Sequence, residues 1–196
     1  MATPFDQAFA ILLPEEGGYD TDPADPGNWT GGAIGVGRDL GTNFGIDSAS
    51  YASAIKSLPP SVAVTMPATV KGLTRTLAGV VYKAAYWDKV HGDDLPPQLA
   101  LLVFDAAVNN GVQRASEWLQ IAVGTPPDGV LGPMTMAALA KSLTDIGLDA
   151  LCIEFQARRV DFMGGITSMW PRFGLGWSRR LVSLMYQSRT MTGPSA

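Results

Sequence analysis

Cysteine and histidine are almost missing from this 196-residue chain, which has one of each, Cys152 and His91. An internal disulfide needs two cysteines, and so does a CxxC redox pair, so the composition excludes both. A catalytic cysteine or a Ser-His-Asp site would have to use His91, and no GxSxG elbow accompanies it. We therefore expect Cys152, between Leu151 and Ile153, to be a buried thiol on a helix.

Positive charge is scarce as well, with 14 Lys and Arg against 18 Asp and Glu, a net charge of -4 and a pI near 4.9. No basic field exists to hold phosphate backbones, so we expect no nucleic-acid partner. No segment approaches eighteen unbroken apolar residues, and the amino terminus lacks the positive region and apolar run of a secretory signal. We expect no integral membrane segment, synthesis in the cytoplasm without a signal peptide, and a monomer.

The 46% hydrophobic content is that of a globular protein, and most apolar residues recur at helical spacing. Pro96-Pro97 opens the most apolar run, which continues to Val108 and should form a central helix. The pattern predicts a mainly α protein with a small irregular or β-hairpin region near the N-terminus. Further helices are predicted over 50–57, 69–87, 113–123, 133–142, 146–163 and 176–186.

The stretch Asp93–Pro97 is a candidate boundary between two lobes, 1–93 and 94–187, and residues 188–196 are expected to form a flexible tail. The segment from Tyr19 to about Ser50 is rich in Gly, Asp, Asn and Pro and has almost no apolar periodicity. Long irregular segments inside compact domains are usually functional, so this one is a natural cleft wall.

Hydrolysis of a glycosidic bond takes a carboxylic acid that protonates the leaving oxygen, and usually a second carboxylate that activates water or stabilises the developing cation. Glu16 suits the first role, because the first helix is predicted to end at Gly17-Gly18 and the helix dipole disfavours negative charge there. Burial would raise the pKa of Glu16 further. Three aspartates follow within reach: Asp20, Asp22 and Asp25.

These aspartates also resemble the opening of a calcium-binding EF-hand loop. However, the twelfth position is Gly31 rather than a bidentate glutamate, and Pro23 and Pro26 interrupt the pattern. We therefore expect neither a metal nor any other cofactor.

Several motifs in this order resemble glycoside hydrolase family 108, a group of lysozyme-like N-acetylmuramidases found among phage endolysins and bacterial wall hydrolases. The motifs are Glu16-Gly17-Gly18-Tyr19, Asp22-Pro23-Ala24-Asp25-Pro26-Gly27, Gly41-Thr42-Asn43-Phe44-Gly45-Ile46 and Tyr82-Lys83-Ala84-Ala85-Tyr86-Trp87-Asp88. The later half resembles the peptidoglycan-binding segment that usually follows, through stretches that include Phe104–Gly111, Trp118–Gln120 and Asp128–Thr135. The resemblance implies a lysozyme-like catalytic lobe over 1–93 and a helical peptidoglycan-binding lobe over 94–187.

Carried over by position, the family's catalytic glutamate falls on Glu16 rather than Glu15, because Glu16 directly precedes Gly-Gly-Tyr. Asp25, nine positions later, is similar to the second carboxylate of phage-type lysozymes, in which a threonine helps to place the attacking water. The extra residues from about 28 to 40 leave two candidates for that threonine. Thr42 lies in the matching motif and is preferred, and Thr30 is the alternative.

Substrate-binding roles are expected for Tyr19 and Asn43, which lie in the matched motifs, and for Trp29, the best candidate for stacking on a sugar. Asp105 and Asn109 end the apolar helix at helical spacing. They could bind sugar groups, or could instead cap the helix and join hydrogen bonds around its end.

The resemblance implies a peptidoglycan hydrolase that cuts the β-1,4 bond between N-acetylmuramic acid and N-acetylglucosamine, and it favours inversion at the anomeric carbon. Two alternatives stay open: a noncatalytic glycan-binding or phage structural module, and the same chemistry on chitin-like polymers. The expected partner is the glycan strand of peptidoglycan. The protein would act on the cell wall after release or export, or as part of a phage-like particle.

Overall fold

The computed structural model describes residues 2–13 and 18–193, and it is predominantly α-helical with one small antiparallel sheet. This confirms the mainly α, lysozyme-like fold class. The chain forms two compact units. The helical unit consists of Met1–Ile11 and Tyr86–Ala196, and the loop unit consists of Leu12–Ala85.

The α-helices in chain order are α1 (Pro4–Leu12), α2 (Ser48–Ser57), α3 (Pro60–Ala63), α4 (Arg75–Tyr82), α5 (Pro97–Asn110), α6 (Val112–Ala122), α7 (Pro133–Asp145), α8 (Leu148–Gly165) and α9 (Trp170–Ser188). Short 3-10 turns cover Pro26–Asn28, Val70–Gly72, Asp88–Val90 and Gly92–Asp94, and a π-helical turn covers Lys83–Trp87. The strands are β1 (Thr42–Asn43) and β2 (Ile46–Asp47). No helix among the described residues is both long enough and apolar enough to span a bilayer.

Helix α5 is the centre of the helical unit. All residues from Leu99 to Ala107 are buried, as the apolar run predicted. Phe104 on this helix meets the ring of Trp87 at 5.4 Å and the ring of Phe5 at 5.9 Å between centroids. Aromatic pairs at these distances add to the free energy that their burial already supplies. The unit is therefore stabilised mainly by apolar packing.

A turn after α6 is held by one buried side chain, Gln120. Its Nε2 donates to Asp128 Oδ1 and to the carbonyl of Val130, and its Oε1 accepts from the backbone of Gly129. These bonds explain the Asp128-Gly129-Val130 motif as structural. The Gln120 side chain first, and then the amide of Val130, hold the pKa of the Asp128 carboxyl below its ordinary value.

The termini of the described chain are linked by the side-chain amide of Gln7. Its Nε2 donates to the carbonyl of Ala2 at 3.3 Å and to the carbonyl of Thr192 at 3.2 Å. Its Oε1 accepts from the backbone of Thr192 at 3.0 Å. One glutamine thus joins residues near both ends of the chain within the helical unit.

The main differences from the predicted helix boundaries concern α1, α4 and α9. Helix α1 ends at Leu12 instead of Gly17, since Leu13 precedes a proline and is restricted to extended backbone. The helix predicted over 69–87 is divided into a 3-10 turn, α4 and a π-helical turn, with Thr74 as the N-cap of α4. Helix α9 begins at Trp170, earlier than predicted, with a proline in its first turn.

The loop unit contains the irregular, β-hairpin region that the sequence predicted. β1 and β2 pair antiparallel, with Thr42 opposite Asp47 and Asn43 opposite Ile46. Two isolated bridges, Asp20 with Thr42 and Trp29 with Asp39, extend this pairing into the polar loop. The apolar residues beneath it include Ile46, Tyr51, Leu58, Val70, Leu73 and Tyr82.

Candidate functional site in the loop unit

The candidate acid Glu16 lies outside the residues that the structure describes. Because α1 ends at Leu12, the first helix does not carry Glu16 as the sequence suggested, while the role of Glu16 as the acid and its raised pKa stay predictions. The described part of the site begins at Gly18 and includes the other residues that the sequence suggested for the loop unit.

Asp25 is exposed and starts the 3-10 turn Pro26–Asn28 as its N-cap. Its Oδ1 accepts a hydrogen bond of 2.8 Å from the backbone amide of Gly27. A carboxylate that accepts from a backbone amide is oriented, because the bond fixes one oxygen. Oδ1 thus fixes the direction of the group, and Oδ2 is the oxygen that faces other partners.

Asn28 is the buried hub of the loop and has no exposed surface. Its Nδ2 donates to the carbonyl of Asp22 at 2.9 Å, and its Oδ1 accepts from Thr42 Oγ1 at 2.7 Å. Its own carbonyl accepts from Leu40 and Gly41. Asn28 therefore connects the turn that carries the Asp25 cap to the strand that carries Thr42.

The backbone of Thr42 is fixed from a second side by Asp20. The amide of Thr42 donates to Asp20 O at 2.8 Å, and the amide of Asp20 donates to Thr42 O at 2.9 Å. Gly41 makes this approach possible with φ +79, since a Cβ at that position would collide with Asp20 O and the ring of Tyr19.

Thr30, the alternative threonine, is exposed and is bonded within the loop. Its Oγ1 accepts from the amide of Arg38 at 2.9 Å, and its amide donates to the carbonyl of Arg38. Gly37 beside it has φ +84, and a Cβ there would collide with Thr30 Oγ1. The Thr30 hydroxyl therefore closes the glycine-rich turn over 31–37.

The two hydroxyls differ in what they can offer to a water molecule. A threonine hydroxyl has one proton and two lone pairs. The proton of Thr42 is donated to Asn28, so its oxygen is left to accept from water. Thr30 already accepts from Arg38 and keeps its proton and one lone pair, so a water there could be held either as an acceptor or as a donor. A water that donates to Thr42 retains its own lone pairs for attack on carbon, which is the property that a nucleophile needs.

The two aromatic candidates are held in different ways. Trp29 is half-buried, and its Nε1 donates to the carbonyl of Pro23 at 3.0 Å, so this polar atom is occupied within the loop. Tyr19 is 37% exposed, and the ammonium of Lys71 lies 5.3 Å from its ring centroid. Tyr19 is therefore partly exposed, with a positive charge over its ring.

Asn43 is buried, and its side chain is used inside the loop unit. Nδ2 donates to the carbonyl of Val70 at 2.9 Å. The bond ties β1 to the 3-10 turn at Val70–Gly72. Asn43 therefore positions Thr42, its neighbour on the strand, and the described contacts give it this supporting role.

Asp105 and Asn109 belong to the helical unit. Asp105 is fully buried and forms ion pairs with Arg159 at 2.8 Å and with Arg180 at 2.5 Å. Asn109 Nδ2 donates to the carbonyl of Asp105 at 2.8 Å. These contacts occupy both side chains within the helical unit, and the sugar-binding role expected for Asp105 and Asn109 stays a prediction.

A cavity of about 410 Å³ lies beside the site within the loop unit. Its lining is mostly apolar, with the side chains of Thr30, Ser48, Tyr51, Lys56 and Thr69 as polar groups. Two of these are already bonded, since Ser48 Oγ donates to Gly41 O and Tyr51 OH donates to Pro67 O. The size is in the range of small-molecule pockets.

Sequence analysis missed two residues of this loop. Asn28 gave no signal, because it follows a Pro-Gly pair in a polar segment where burial is not expected. Asp39, opposite Trp29 in an antiparallel bridge, has an oxygen, Oδ1, that is buried without a hydrogen-bond partner in the described part of the chain. Such a group is costly unless something binds it, so Asp39 is a further carboxylate of the loop to consider.

Two comparisons with known proteins gave a match. The family model described as Glycosyl hydrolase 108 matches residues 9–111. The solved structure of SagA from Brucella abortus is 30% identical in sequence, with a TM-score of 0.72, and the alignment covers 97% of each chain. A search of curated proteins gave no match.

Proposed function

Because the chain belongs to the glycosyl hydrolase 108 family, we propose that it hydrolyses peptidoglycan at the β-1,4 bond between N-acetylmuramic acid and N-acetylglucosamine. Membership of the family shows that the protein is a glycoside hydrolase, and the bond that it cuts is what we propose. The observation that carries it is the linked arrangement of the Asp25 cap, Asn28 and Thr42 in a loop that directly follows Glu16 in sequence.

In the proposed reaction, Glu16 protonates the glycosidic oxygen as the bond to the anomeric carbon breaks. Asp25 faces the positive charge that develops on the sugar and, with Thr42, directs a water toward the anomeric carbon. The water donates one hydrogen bond to Thr42 Oγ1, whose own proton is committed to Asn28. As the water bonds to the anomeric carbon, it gives its other proton to the Asp25 carboxylate, and exchange with solvent then returns a proton from Asp25 to Glu16. Attack from the face opposite the leaving group gives inversion, which NMR of the newly formed reducing sugar would show as the α anomer.

The first test is the variant Glu16→Gln, which removes the transferable proton and preserves the size of the side chain. We expect a folded protein that no longer clears suspensions of exposed peptidoglycan. Mass spectrometry of wild-type digests should show reducing N-acetylmuramic acid ends. Full activity of Glu16→Gln would contradict the assignment of the acid, and reducing N-acetylglucosamine ends would contradict the bond.

The second test compares Thr42→Val with Thr30→Val, two variants that remove one hydroxyl each at nearly constant volume. Thr42→Val should lower kcat about 100-fold, the usual scale for misplacing a reacting group. Thr30→Val should leave kcat near the wild-type value and mainly loosen the turn over 31–37. The reverse ranking would assign the water to Thr30.

We also propose that the substrate is met outside the cytoplasm, in an endolysin-like or wall-remodelling role, because peptidoglycan lies there. Glycan that lacks the lactyl and peptide groups tests which polymers the enzyme accepts as substrates. Chitin oligomers should be poor substrates, and equal rates on both polymers would contradict muramidase specificity.

A further inference from the structure

A second cavity, of about 360 Å³, is lined within the helical unit by residues of α5, α6, α8 and α9 and by Ile166. None of its lining residues is among those proposed above for catalysis. Its lining consists of Asn109, Asn110, Arg114, Arg159, Phe162, Met163, Ile166, Trp177 and Arg180. The wall thus joins three guanidinium groups and two amides to an apolar and aromatic surface.

The charges of this cavity do not balance. Three arginines line it, and no acidic residue does. Behind the lining, the buried carboxylate of Asp105 pairs with Arg159 and Arg180 and offsets one of the three positive charges. The local excess of positive charge stands out in a chain whose net charge is -4. Such a concave, positively charged site attracts an anion.

The base of the cavity is already fixed before a ligand arrives. Arg159 is fully buried, and its Nε donates to Asn110 Oδ1 at 3.2 Å. Its Nη2 lies 2.8 Å from Asp105 Oδ2 without hydrogen-bond alignment. Burial lowers the pKa of the Arg159 guanidinium, and the charge of Asp105 acts in the opposite direction. Arg159 therefore supplies a fixed positive charge at the base of the cavity.

Arg114 presents the most accessible donors. Its guanidinium carbon lies 4.3 Å from the centroid of the Phe162 ring, and Phe162 is in turn 5.4 Å from the ring of Trp118. A guanidinium over an aromatic ring keeps its N–H groups in the plane, where they can form a bidentate pair with a carboxylate. One described bond, from Nη1 to the carbonyl of Asn110, uses a single donor of the five.

We propose that this cavity binds the free carboxylate of a short peptide whose adjoining side chain is small and apolar. The guanidinium of Arg114 binds the carboxylate, and the apolar wall at Met163, Ile166 and Trp177 contacts the side chain. A bare inorganic anion would leave that wall unused. Identifying the peptide with the stem of peptidoglycan rests on the proposed function, since the lactyl carboxyl of the glycan is amide-linked and the free carboxylates are on the stem.

Binding of acetyl-D-alanyl-D-alanine to the wild-type protein, measured by calorimetry, tests the proposal directly. The C-terminal amide of the same dipeptide should bind about tenfold more weakly or worse, because one charge-assisted pair is lost. Arg114→Gln should weaken binding of the acid by about tenfold as well. NMR signals of the Trp177 indole should shift with the acid and report that the ligand occupies this cavity.

Arg179→Gln is the matched control. Arg179 is exposed, precedes Arg180 on α9 and does not line the cavity, so its loss changes the net charge equally without changing the site. The dissociation constant should not move. The proposal is overturned if the amide binds as well as the acid, if inorganic phosphate binds as tightly, if both arginine variants behave alike, or if neither dipeptide binds.

A cleavage assay separates this proposal from the proposed function. Wild-type protein should show a lower KM on glycan that bears stem peptides than on glycan stripped of them, and Arg114→Gln should abolish that difference with kcat preserved. Equal KM values for the two glycans in the wild type would overturn the stem-peptide assignment. Absence of cleavage on both would contradict the proposed function, while the dipeptide titration would still decide the carboxylate site.

Discussion

Residues Leu99–Ala107 of the helical unit are all buried, whereas residues 18–26 and 30–38 of the loop unit are all exposed. The first segment is ordered by apolar burial spread over many side chains. The second is ordered by a few specific hydrogen bonds, above all those of Asn28, and by glycines that allow unusual backbone angles. Stability and chemistry are therefore expected to respond to substitutions in different parts of the chain.

The largest effect is expected in the apolar core. Phe104→Ala removes a fully buried ring that contacts Phe5 and Trp87 and should lower the free energy of unfolding by about 4 kcal/mol. Denaturant unfolding followed by circular dichroism measures the change. Well below the midpoint, kcat should stay near the wild-type value. A large loss of kcat in the folded variant would contradict the expectation that substitutions in the apolar core affect stability and not catalysis.

A smaller effect, on catalysis rather than on stability, is expected for Asn28→Leu. Losing the bonds to Asp22 and Thr42 should reduce kcat about 100-fold, because the Thr42 hydroxyl, which we propose positions the water, is no longer held. Asn28→Asp is the matched control, since it keeps the Oδ1 acceptor for Thr42, and it should retain more activity. If Asn28→Leu kept the wild-type kcat, Asn28 would have no role in holding the catalytic groups.

The smallest effect concerns Cys152, which is buried in α8. Burial, helped by the charge of Asp149, raises the pKa of its thiol to about 12. A raised thiol pKa means that the neutral form persists from pH 7 to pH 9, so little thiolate is available. The native protein should react slowly with Ellman's reagent, and the denatured protein quickly. Fast reaction of the native protein would show that this part of the helical core opens readily.

Sequence reasoning predicted the elements whose signals are local. The Pro96-Pro97 start and the continuous apolar run determined α5, and the density of glycine, aspartate and proline identified the polar loop. It did not find the ion pair between Asp105 and Arg159, because these residues are 54 positions apart and only the packing of α5 against α8 brings them together.

The same limit applies to the site. Spacing from Asp25 could not decide between Thr42 and Thr30 as the threonine that places the water. The extra residues from about 28 to 40 lie between Asp25 and the motif that contains Thr42. The direction of two hydrogen bonds provides the argument instead, since one hydroxyl donates to Asn28 and the other accepts from Arg38. The direction of a hydrogen bond depends on which groups the fold brings together, so it cannot be derived from the sequence alone.

The single amide of Gln7 that joins Ala2 to Thr192 has a practical consequence for engineering. Two carbonyl oxygens that share one donor nitrogen are close enough for a linker of a few residues to connect them. The gene could thus be circularly permuted, with new termini opened in an exposed connection elsewhere in the chain. Affinity tags or surface anchors fused at Ala2 and at Thr192 would lie side by side, so a doubly tethered enzyme could be immobilised in a single orientation.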